Sequence, residues 1–309
     1  IYNLTIDHFP INFINNAEDS CPYISFLKID IENYPENYKG ELKDYFTIMD
    51  LKKNNFFTDI SNYISYETGQ PTHCYDAKKI NGNITLENID GNSSFLNLFN
   101  QKIDISDKNL VFLMNEEIIN LAGIIGGMKT SCSKNTKSVV IECAYFNPDC
   151  IINKSTKYSI KSDAAYKFER GADPACHEKV LRRFIKIVQD HSIITNLQIF
   201  SSNTNKIKKT EIPLDVSAIN KILGTSITID DYLKYLSKLG FTIKDNNIEV
   251  PNYRNDIENN NDLAEEIARV IGYNNIPNSN FKILNISKKV GHSLEQEIKL
   301  KNYLIDNGF

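Results

Sequence analysis

Between Ile84 and Ile141 the apolar residues come only in short runs. Ile103 to Ile105, Leu110 to Leu113 and Val139 to Ile141 are separated by Asp-Gly and Ser-rich breaks. Short apolar runs between turn signals are the pattern of strands, so the middle of the chain is committed to sheet. Asp90-Gly91 within it reads as a hairpin turn. Upstream, Tyr23 to Ile31 alternates apolar and polar residues over part of its length and reads as another strand.

Helical signals lie on both sides. Glu36 to Met49 is a weak helix candidate. Asn54 to Gly69, assigned to neither helix nor strand, opens with aromatic and β-branched residues and closes at the breaker Gly69-Gln70-Pro71. Asp173 and Pro174 have the chemistry of an N-cap and a first helical residue. Val180, Leu181, Phe184, Ile185 and Val188 then recur at helical spacing. Residues 195–210 are polar and end in a Lys206 to Lys209 cluster, which marks a domain boundary. Beyond it Asp215 caps a short helix stopped by Gly224, and Asp230 caps a second one stopped by Gly240. Phe241 to Ile243 and Ile248 to Val250 flank an Asn246-Asn247 hairpin. A third helix runs from about Asp262 to Ile271, and His292 to Asp306 forms an amphipathic helix that opens a further module.

The chain has 309 residues, enough for about two domains. Thirty-five Lys and Arg against thirty-nine Asp and Glu leave a net charge of −4, which excludes a generally basic nucleic-acid-binding surface. No apolar run approaches the roughly 18 residues of a membrane span. The six cysteines, at 21, 74, 132, 143, 150 and 176, form no C-x-x-C pair and have no matching histidine spacing, so neither zinc nor a disulfide framework is expected. These features suit a reduced, cytoplasmic compartment. The start at Ile1 and the stop at Asn307-Gly308-Phe309 suggest the middle of a longer protein.

No P-loop, serine-hydrolase elbow or H-E-x-x-H motif is present. Gly123-Ile124-Ile125-Gly126-Gly127 does not match a dinucleotide fingerprint. A tight turn with close backbone approach is favoured over a ligand loop. Two polar constellations remain. The first is His73, Glu142 and Ser162-Asp163. Glu142 interrupts the apolar run Val139 to Phe146, where it either faces outward, the commoner case, or is buried and needs a donor or a proton. The second is Asp256, Asp262, Glu265 and Glu266: the last three share a face at the start of one helix, and Asp256 lies just upstream. The acids either suit the helix dipole, with Glu265 paired to Arg269, or form a hard-cation site.

Several blocks, in order, resemble the phenylalanine–tRNA ligase beta subunit. They are Thr58-Asp59-Ile60-Ser61-Asn62-Tyr63, Glu67 to Asp76 with Gly69-Gln70-Pro71-Thr72-His73, Ala122 to Gly127, Ile141 to Phe146, and Phe168 to Pro174. Val250-Pro251, Arg254 to Ile257, Asp262 to Arg269 and Gly272 to Pro277 continue the match. The resemblance covers about residues 20–277 and implies an α+β fold. A mixed α/β editing (tRNA-binding) domain with antiparallel sheets would occupy residues 1–205. A small helix-rich, winged-helix-like α/β domain would occupy 209–280, and 281–309 would be a linker and the first helix of a truncated catalytic-like module.

The resemblance implies an α₂β₂ enzyme that charges phenylalanine tRNA with ATP and Mg²⁺ at the alpha subunit, and hydrolytic editing of tyrosyl-tRNA in this chain. Carried over residue by residue, Glu142 would read the tyrosine hydroxyl, with Gly126 a backbone donor beside it. His73 and Ser162 would belong to the catalytic group, and Asn62 and Ala164 would line the substrate. Asp256, Asp262, Glu265 and Glu266 would hold Mg²⁺ shared with the alpha subunit, which lifts the metal reading above the helix-dipole one. The chain departs from the family at Lys52-Lys53 (usually Arg-Pro), at Ser162 (usually Thr) and at Ala165-Tyr166-Lys167. A subunit whose editing pocket has decayed into a tRNA-positioning module is therefore the competing expectation. A free-standing binding protein is disfavoured by the retained carboxylates and the unfinished C-terminal helix.

Overall fold

Tyr23–Ile31 has almost no exposed face, and this one property organises the larger part of the molecule. A strand alternates its side chains with period two. Here Ile24 and Phe26 enter one hydrophobic core while Leu27, Ile29 and Ile31 enter another. Ser138–Tyr145 beside it does the same: Val140 and Ala144 enter the first core, Val139, Ile141 and Cys143 the second.

The computed structural model describes residue 9, residues 11–203, residue 207, residues 209–278 and residues 291–309. In chain order the elements begin with β1 (Phe13–Asn15), β2 (Tyr23–Ile31), α1 (Gly40–Ile48), α2 (Phe56–Thr68) and β3 (Thr72–Asp76). Next come β4 (Ile84–Ile89), β5 (Ser93–Leu96), β6 (Lys102–Ile105), β7 (Asn109–Met114), β8 (Glu117–Leu121), β9 (Ile125–Gly126) and β10 (Ser138–Tyr145). Then follow α3 (Pro148–Ile151), α4 (Lys154–Lys157), α5 (Asp163–Phe168), α6 (His177–His191), β11 (Ile194–Asn203) and β12 (Glu211–Pro213). The chain continues through α7 (Val216–Leu223), α8 (Ile229–Lys238), β13 (Thr242–Lys244), β14 (Asn247–Glu249), α9 (Asn260–Ile271) and α10 (His292–Asp306).

The fold is mixed α+β. A four-stranded sheet runs β11-β2-β10-β3 with every pairing antiparallel. A five-stranded sheet runs β1-β4-β7-β8-β9, antiparallel except for β1 beside β4. The first core fills the space between these sheets and is joined by Ala165 and Phe168 of α5. The second lies on the other face of the four-stranded sheet, under α1, α2 and α6. A separate core unites α7, α8, α9 and the sheet β12-β14-β13.

Local chemistry explains where the sequence reading and the structure part. Residues 56–68 form a helix because Asn55 accepts from the Thr58 amide at 3.1 Å and Phe56, Phe57, Ile60 and Ile64 share a buried face. Asp90-Gly91 makes no hairpin: β4 pairs with β1 and β7, β5 pairs with β6, and the turn carries the chain from one sheet to another. Asp173 is not the cap of α6. Its carboxylate closes a turn on the Ala175 amide at 2.8 Å, and the helix starts at His177. The polar stretch expected as a boundary begins as edge strand β11, whose register on β2 reaches Asn203 opposite Tyr23. An edge strand tolerates polar residues on its solvent side. Residues 204–206, 208 and 279–290, which include part of the lysine cluster and the expected linker, lie outside the described residues.

In the smaller unit Asp215 caps α7 as expected, accepting from Ala218 N at 2.9 Å, and Gly224 ends it at φ +68°. Thr228, not Asp230, caps α8, because its hydroxyl is the group that reaches the Asp231 amide at 3.2 Å. The hairpin turn falls on Asp245-Asn246, both at positive φ, one residue earlier than expected. The last helix spans His292–Asp306, with none of its residues buried.

Candidate functional site

The antiparallel register sets Glu142 of β10 directly opposite His73 of β3. By strand parity both side chains, together with Tyr75, face the five-stranded sheet. A half-open cavity forms there, with about 360 Å³ of free space including its mouth. β3 supplies Thr72 and His73, β8 supplies Asn120, and β9 with the turn before it supplies Gly123 to Gly126. Glu142, Phe146 and, from α5, Ala164 and Phe168 complete the wall.

Glu142 is 4% exposed, so the buried alternative holds. Its donor is Tyr75, whose hydroxyl gives a 2.5 Å hydrogen bond to Oε2. The Tyr75 oxygen in turn accepts from Asn120 Nδ2 at 2.9 Å. Among the described residues no donor reaches Glu142 Oε1. Burial pushes the carboxyl up to about 7, an effect the Tyr75 bond opposes. The His73 ring stands edge-on to Tyr75, with centroids 4.5 Å apart, and its Nε2 is buried with no partner among the described residues. Burial lowers the imidazole to about 4, so it is neutral at physiological pH.

Gly126 lies against this ring. A Cβ there would stand 2.2 Å from His73 Cε1, which no conformer of a larger residue could accept without moving the imidazole. The glycine-rich segment is thus a tight turn with close backbone approach, closed by Ile124 N to Leu121 O at 3.0 Å, and it also forms a wall of the cavity.

Of the six residues expected in the editing site, the structure brings Glu142, His73, Gly126 and Ala164 together. Ser162 is not in the wall. Its hydroxyl caps α5 by accepting from Ala165 N at 3.1 Å and donates to the Ile124 carbonyl at 2.5 Å, tying the helix to the glycine-rich loop. That geometry ties the helix that carries Ala164 to the loop. Asn62 is exposed on α2 and does not line the cavity; its neighbour Ser61 donates to the Thr72 carbonyl at 2.6 Å. Lys52 and Lys53 do not line it either, and Lys53 lies over the Tyr38 ring at 4.6 Å. Lys167 fixes α5 to α2 through Ser65 O and Ser65 Oγ, at 2.5 and 2.8 Å.

Sequence reasoning missed Tyr75 and Asn120. A signal existed for each. Tyr75 stands two residues from His73 on a strand and so shares its face. Asn120 is a polar residue in the apolar run Ile118 to Leu121, as Glu142 is in its own.

Three of the four acids expected to bind Mg²⁺ are engaged elsewhere. Arg254 holds Asp256 through Nε and Nη2 at 2.8 and 2.7 Å, and Glu266 through Nη1 and Nη2 at 2.9 and 2.8 Å. Arg269 also pairs with Glu266. Asp262 Oδ2 accepts from the amides of Glu258 and Asn259 at 2.8 and 3.0 Å, completing a capping box with Asn259. Glu265 is exposed. Among the described residues no group of three or more metal-ligating side chains converges. As placed, these acids do not fit a cation: Asp256 and Glu266 face guanidinium donors, Asp262 faces two amides, and Glu265 does not converge with them.

A family model described as the B3/4 domain matches residues 23–192, from the first residue of β2 to just past α6, which is more than half of the chain. The chain belongs to the B3/4 domain family. A second model, the tRNA synthetase B5 domain, matches residues 212–273. The cavity therefore lies within the B3/4 domain and the Arg254 cluster within the B5 domain.

Curated relatives named phenylalanine–tRNA ligase beta subunit align along most of this chain, and the resemblance read from the sequence holds. The relative from Clostridium tetani is 31% identical over 294 residues, covering 91% of this chain and 36% of its own length. That from Shewanella oneidensis is 33% identical over 226 residues, covering 71% and 28%. The chain thus spans about a third of these relatives. A crystal structure of an N-terminal fragment of the phenylalanyl-tRNA synthetase beta subunit from Pyrococcus horikoshii aligns with 89% of this chain and 78% of its own, at 12% identity and a TM-score of 0.40. Among the described residues no helix is long and apolar enough to cross a membrane.

Proposed function

We propose that this chain is the central, editing part of a phenylalanine–tRNA ligase beta subunit, and that its B3/4 cavity hydrolyses tyrosine wrongly joined to phenylalanine tRNA. The observation that carries the reading is Glu142: a buried carboxyl with one oxygen uncommitted, in a wall otherwise made largely of Gly, Ala, Ile and Phe. An apolar pocket rejects an extra hydroxyl only weakly. A buried acceptor selects that hydroxyl positively, because a phenyl ring would leave it unpaired at a cost of about 1–3 kcal/mol. Phe146 and Phe168 suit an aromatic ring and Glu142 Oε1 suits its phenol. Hydrolysis then needs a positioned water: its oxygen bonds to the ester carbonyl carbon, the bond to the terminal ribose oxygen breaks, and that oxygen takes the proton. No side chain in the wall has the character of a covalent nucleophile.

The same reading places the chain, within its full-length subunit, beside an alpha subunit in an α₂β₂ assembly in the cytoplasm. ATP and Mg²⁺ are then used for charging at the alpha-subunit site. Asp256 and Glu266 would contribute to a shared cation only by exchanging their Arg254 contacts for metal, so no step is assigned to the B5 acids. The test is deacylation of tyrosyl- and phenylalanyl-esters of phenylalanine tRNA by the assembled full-length ligase. Glu142→Gln is expected to lose most of the preference for the tyrosyl ester. Equal, background-rate hydrolysis of both esters by the parent would favour the decayed, tRNA-positioning alternative.

A further inference from the structure

Tyr75 does not line the cavity, yet its hydroxyl ends on the carboxylate that does. The hydrogen bonds run in one direction, from Asn120 Nδ2 to the Tyr75 oxygen and from the Tyr75 hydroxyl to Glu142 Oε2. Tyr75 is fully buried and Asn120 and Glu142 nearly so, so the chain is closed to solvent exchange at its centre. Amide donation to the phenol oxygen polarises its O–H and strengthens the bond it gives. The phenol thus occupies one carboxylate oxygen from behind and leaves the other for whatever enters the cavity.

We propose that Tyr75, backed by Asn120, is a positioning residue that keeps Glu142 an ionised acceptor aimed into the cavity, and so sets how strongly the site discriminates a phenolic ligand from a phenyl one. The inference rests on the editing reading above. An ionised carboxylate left without the phenol penalises a bare ring most. A protonated one can turn its O–H onto other acceptors and loses that selectivity. The Tyr75 bond favours the ionised form against the burial that disfavours it.

Other titrating groups around Glu142 stay neutral near physiological pH. From β3 these are His73, neutral above about 4, Cys74 and Tyr75. Cys21 ahead of β2 and Cys143 on β10 itself complete the set, and burial raises both thiols well above 9.0. The glycine-rich loop and α5 add no titratable side chain to the wall.

The test uses the assembled full-length ligase and the ratio of tyrosyl- to phenylalanyl-ester hydrolysis from about pH 5 to 9, since a ratio cancels the pH dependence of ester cleavage common to both substrates. In the parent the ratio is expected to rise with a midpoint near 7. Tyr75→Phe, which removes one oxygen and keeps the ring, is expected to move the midpoint up by about one unit and to recover the parent ratio at the alkaline end. Site-specific replacement of Tyr75 by 3-fluorotyrosine, a stronger donor, is expected to move it down, and it keeps the test open if the phenylalanine variant fails to fold. The protonated-carboxyl infrared band lost in Glu142→Gln reports the same midpoints without turnover. An unmoved midpoint in both replacements, or a ratio lowered equally at every pH, overturns the proposal. Were Glu142→Gln itself to keep the parent's preference, the editing reading would fall instead, which separates the two failures.

Discussion

Arg254 grips Glu266 of α9, 12 positions further along the chain, with two nearly equal hydrogen bonds, Nη1 to Oε2 at 2.9 Å and Nη2 to Oε1 at 2.8 Å. Glu266 is 3% exposed, so its charge depends on that grip. Removing one partner of a buried pair leaves the other charge uncompensated, at about 3–5 kcal/mol. Arg254→Met should therefore lower the unfolding free energy of the B5 unit in urea by about 3 kcal/mol, the low end of that range because Arg269 still pairs with Glu266, while Glu265→Gln, on an exposed residue, should change it by no more than about 0.5 kcal/mol. Arg254 and Arg269 hold the Glu266 carboxyl below its ordinary range. This stability is present above the unfolded-state value and is lost as pH falls through the lower folded one. Millimolar Mg²⁺ added to the isolated chain should leave the midpoint unmoved; a clear upward shift would show that the acids form a cation site without an alpha subunit.

Ser162 joins α5 to the glycine-rich loop through one hydroxyl. Ser162→Ala should cost about 1–2 kcal/mol in chemical unfolding, the worth of a helix N-cap. Deacylation should fall as well, because Ala164 loses its fixed distance from Gly126. Ser162→Thr keeps the oxygen and should restore both. Restoration of stability without activity would mean that the tether does not govern the cavity.

Gly126→Ala should displace the His73 ring, since the added methyl has nowhere else to go. Overpacking of this kind costs about 1–3 kcal/mol. Combining it with His73→Ala should recover part of the lost stability, read as a non-additive double-mutant cycle in thermal melts. Additive losses would show that the loop, not the ring, absorbs the clash.

The Glu142 carboxyl titrates near 7 when folded and at an ordinary value when unfolded, so its folded pKa is raised. Such a group stabilises fully below the unfolded value and loses that contribution as pH rises through the folded one. His73, lowered to about 4, runs the other way: its contribution is present above the unfolded value and lost as pH falls through the folded one. The parent curve mixes both. The difference between Glu142→Gln and parent isolates the first, and should move in favour of the variant by about 3 kcal/mol between about pH 4.5 and 8. A difference independent of pH in paired urea titrations would contradict the burial of an ionisable Glu142.

How far the sequence carried this picture depended on whether the deciding contact was local. Asp215 and Gly224 bracket α7 because caps act within four residues, and the strand character of Tyr23 to Ile31 follows from its own alternation. Strand pairing is not local. Asp90-Gly91 has hairpin chemistry, but β4 finds its partners in β7, from Asn109 to Met114, and in β1, 71 residues back, and nothing near the turn announces that. The cavity was legible in part. Glu142 stood out as a carboxylate in an apolar run, and the family match joined it to His73, Gly126 and Ala164. Whether it was buried depended on a tyrosine 67 residues away, and the removal of Ser162 and Asn62 from the wall depended on which way α5 and α2 turn.

The double-sided burial of β10 constrains how this molecule can change over time. Every second residue of that strand belongs to one core and the intervening ones to the other, with Glu142 midway along it. A single inserted or deleted residue there would exchange the two sets at once and turn the carboxylate away from His73. Adaptation of the cavity from β10 must therefore proceed by substitution alone, whereas the 122–124 turn between β8 and β9, and α5, belong to no strand and can shift without disturbing register. Lineages that retune this site should vary those two walls in length and position and leave the spacing of β10 untouched.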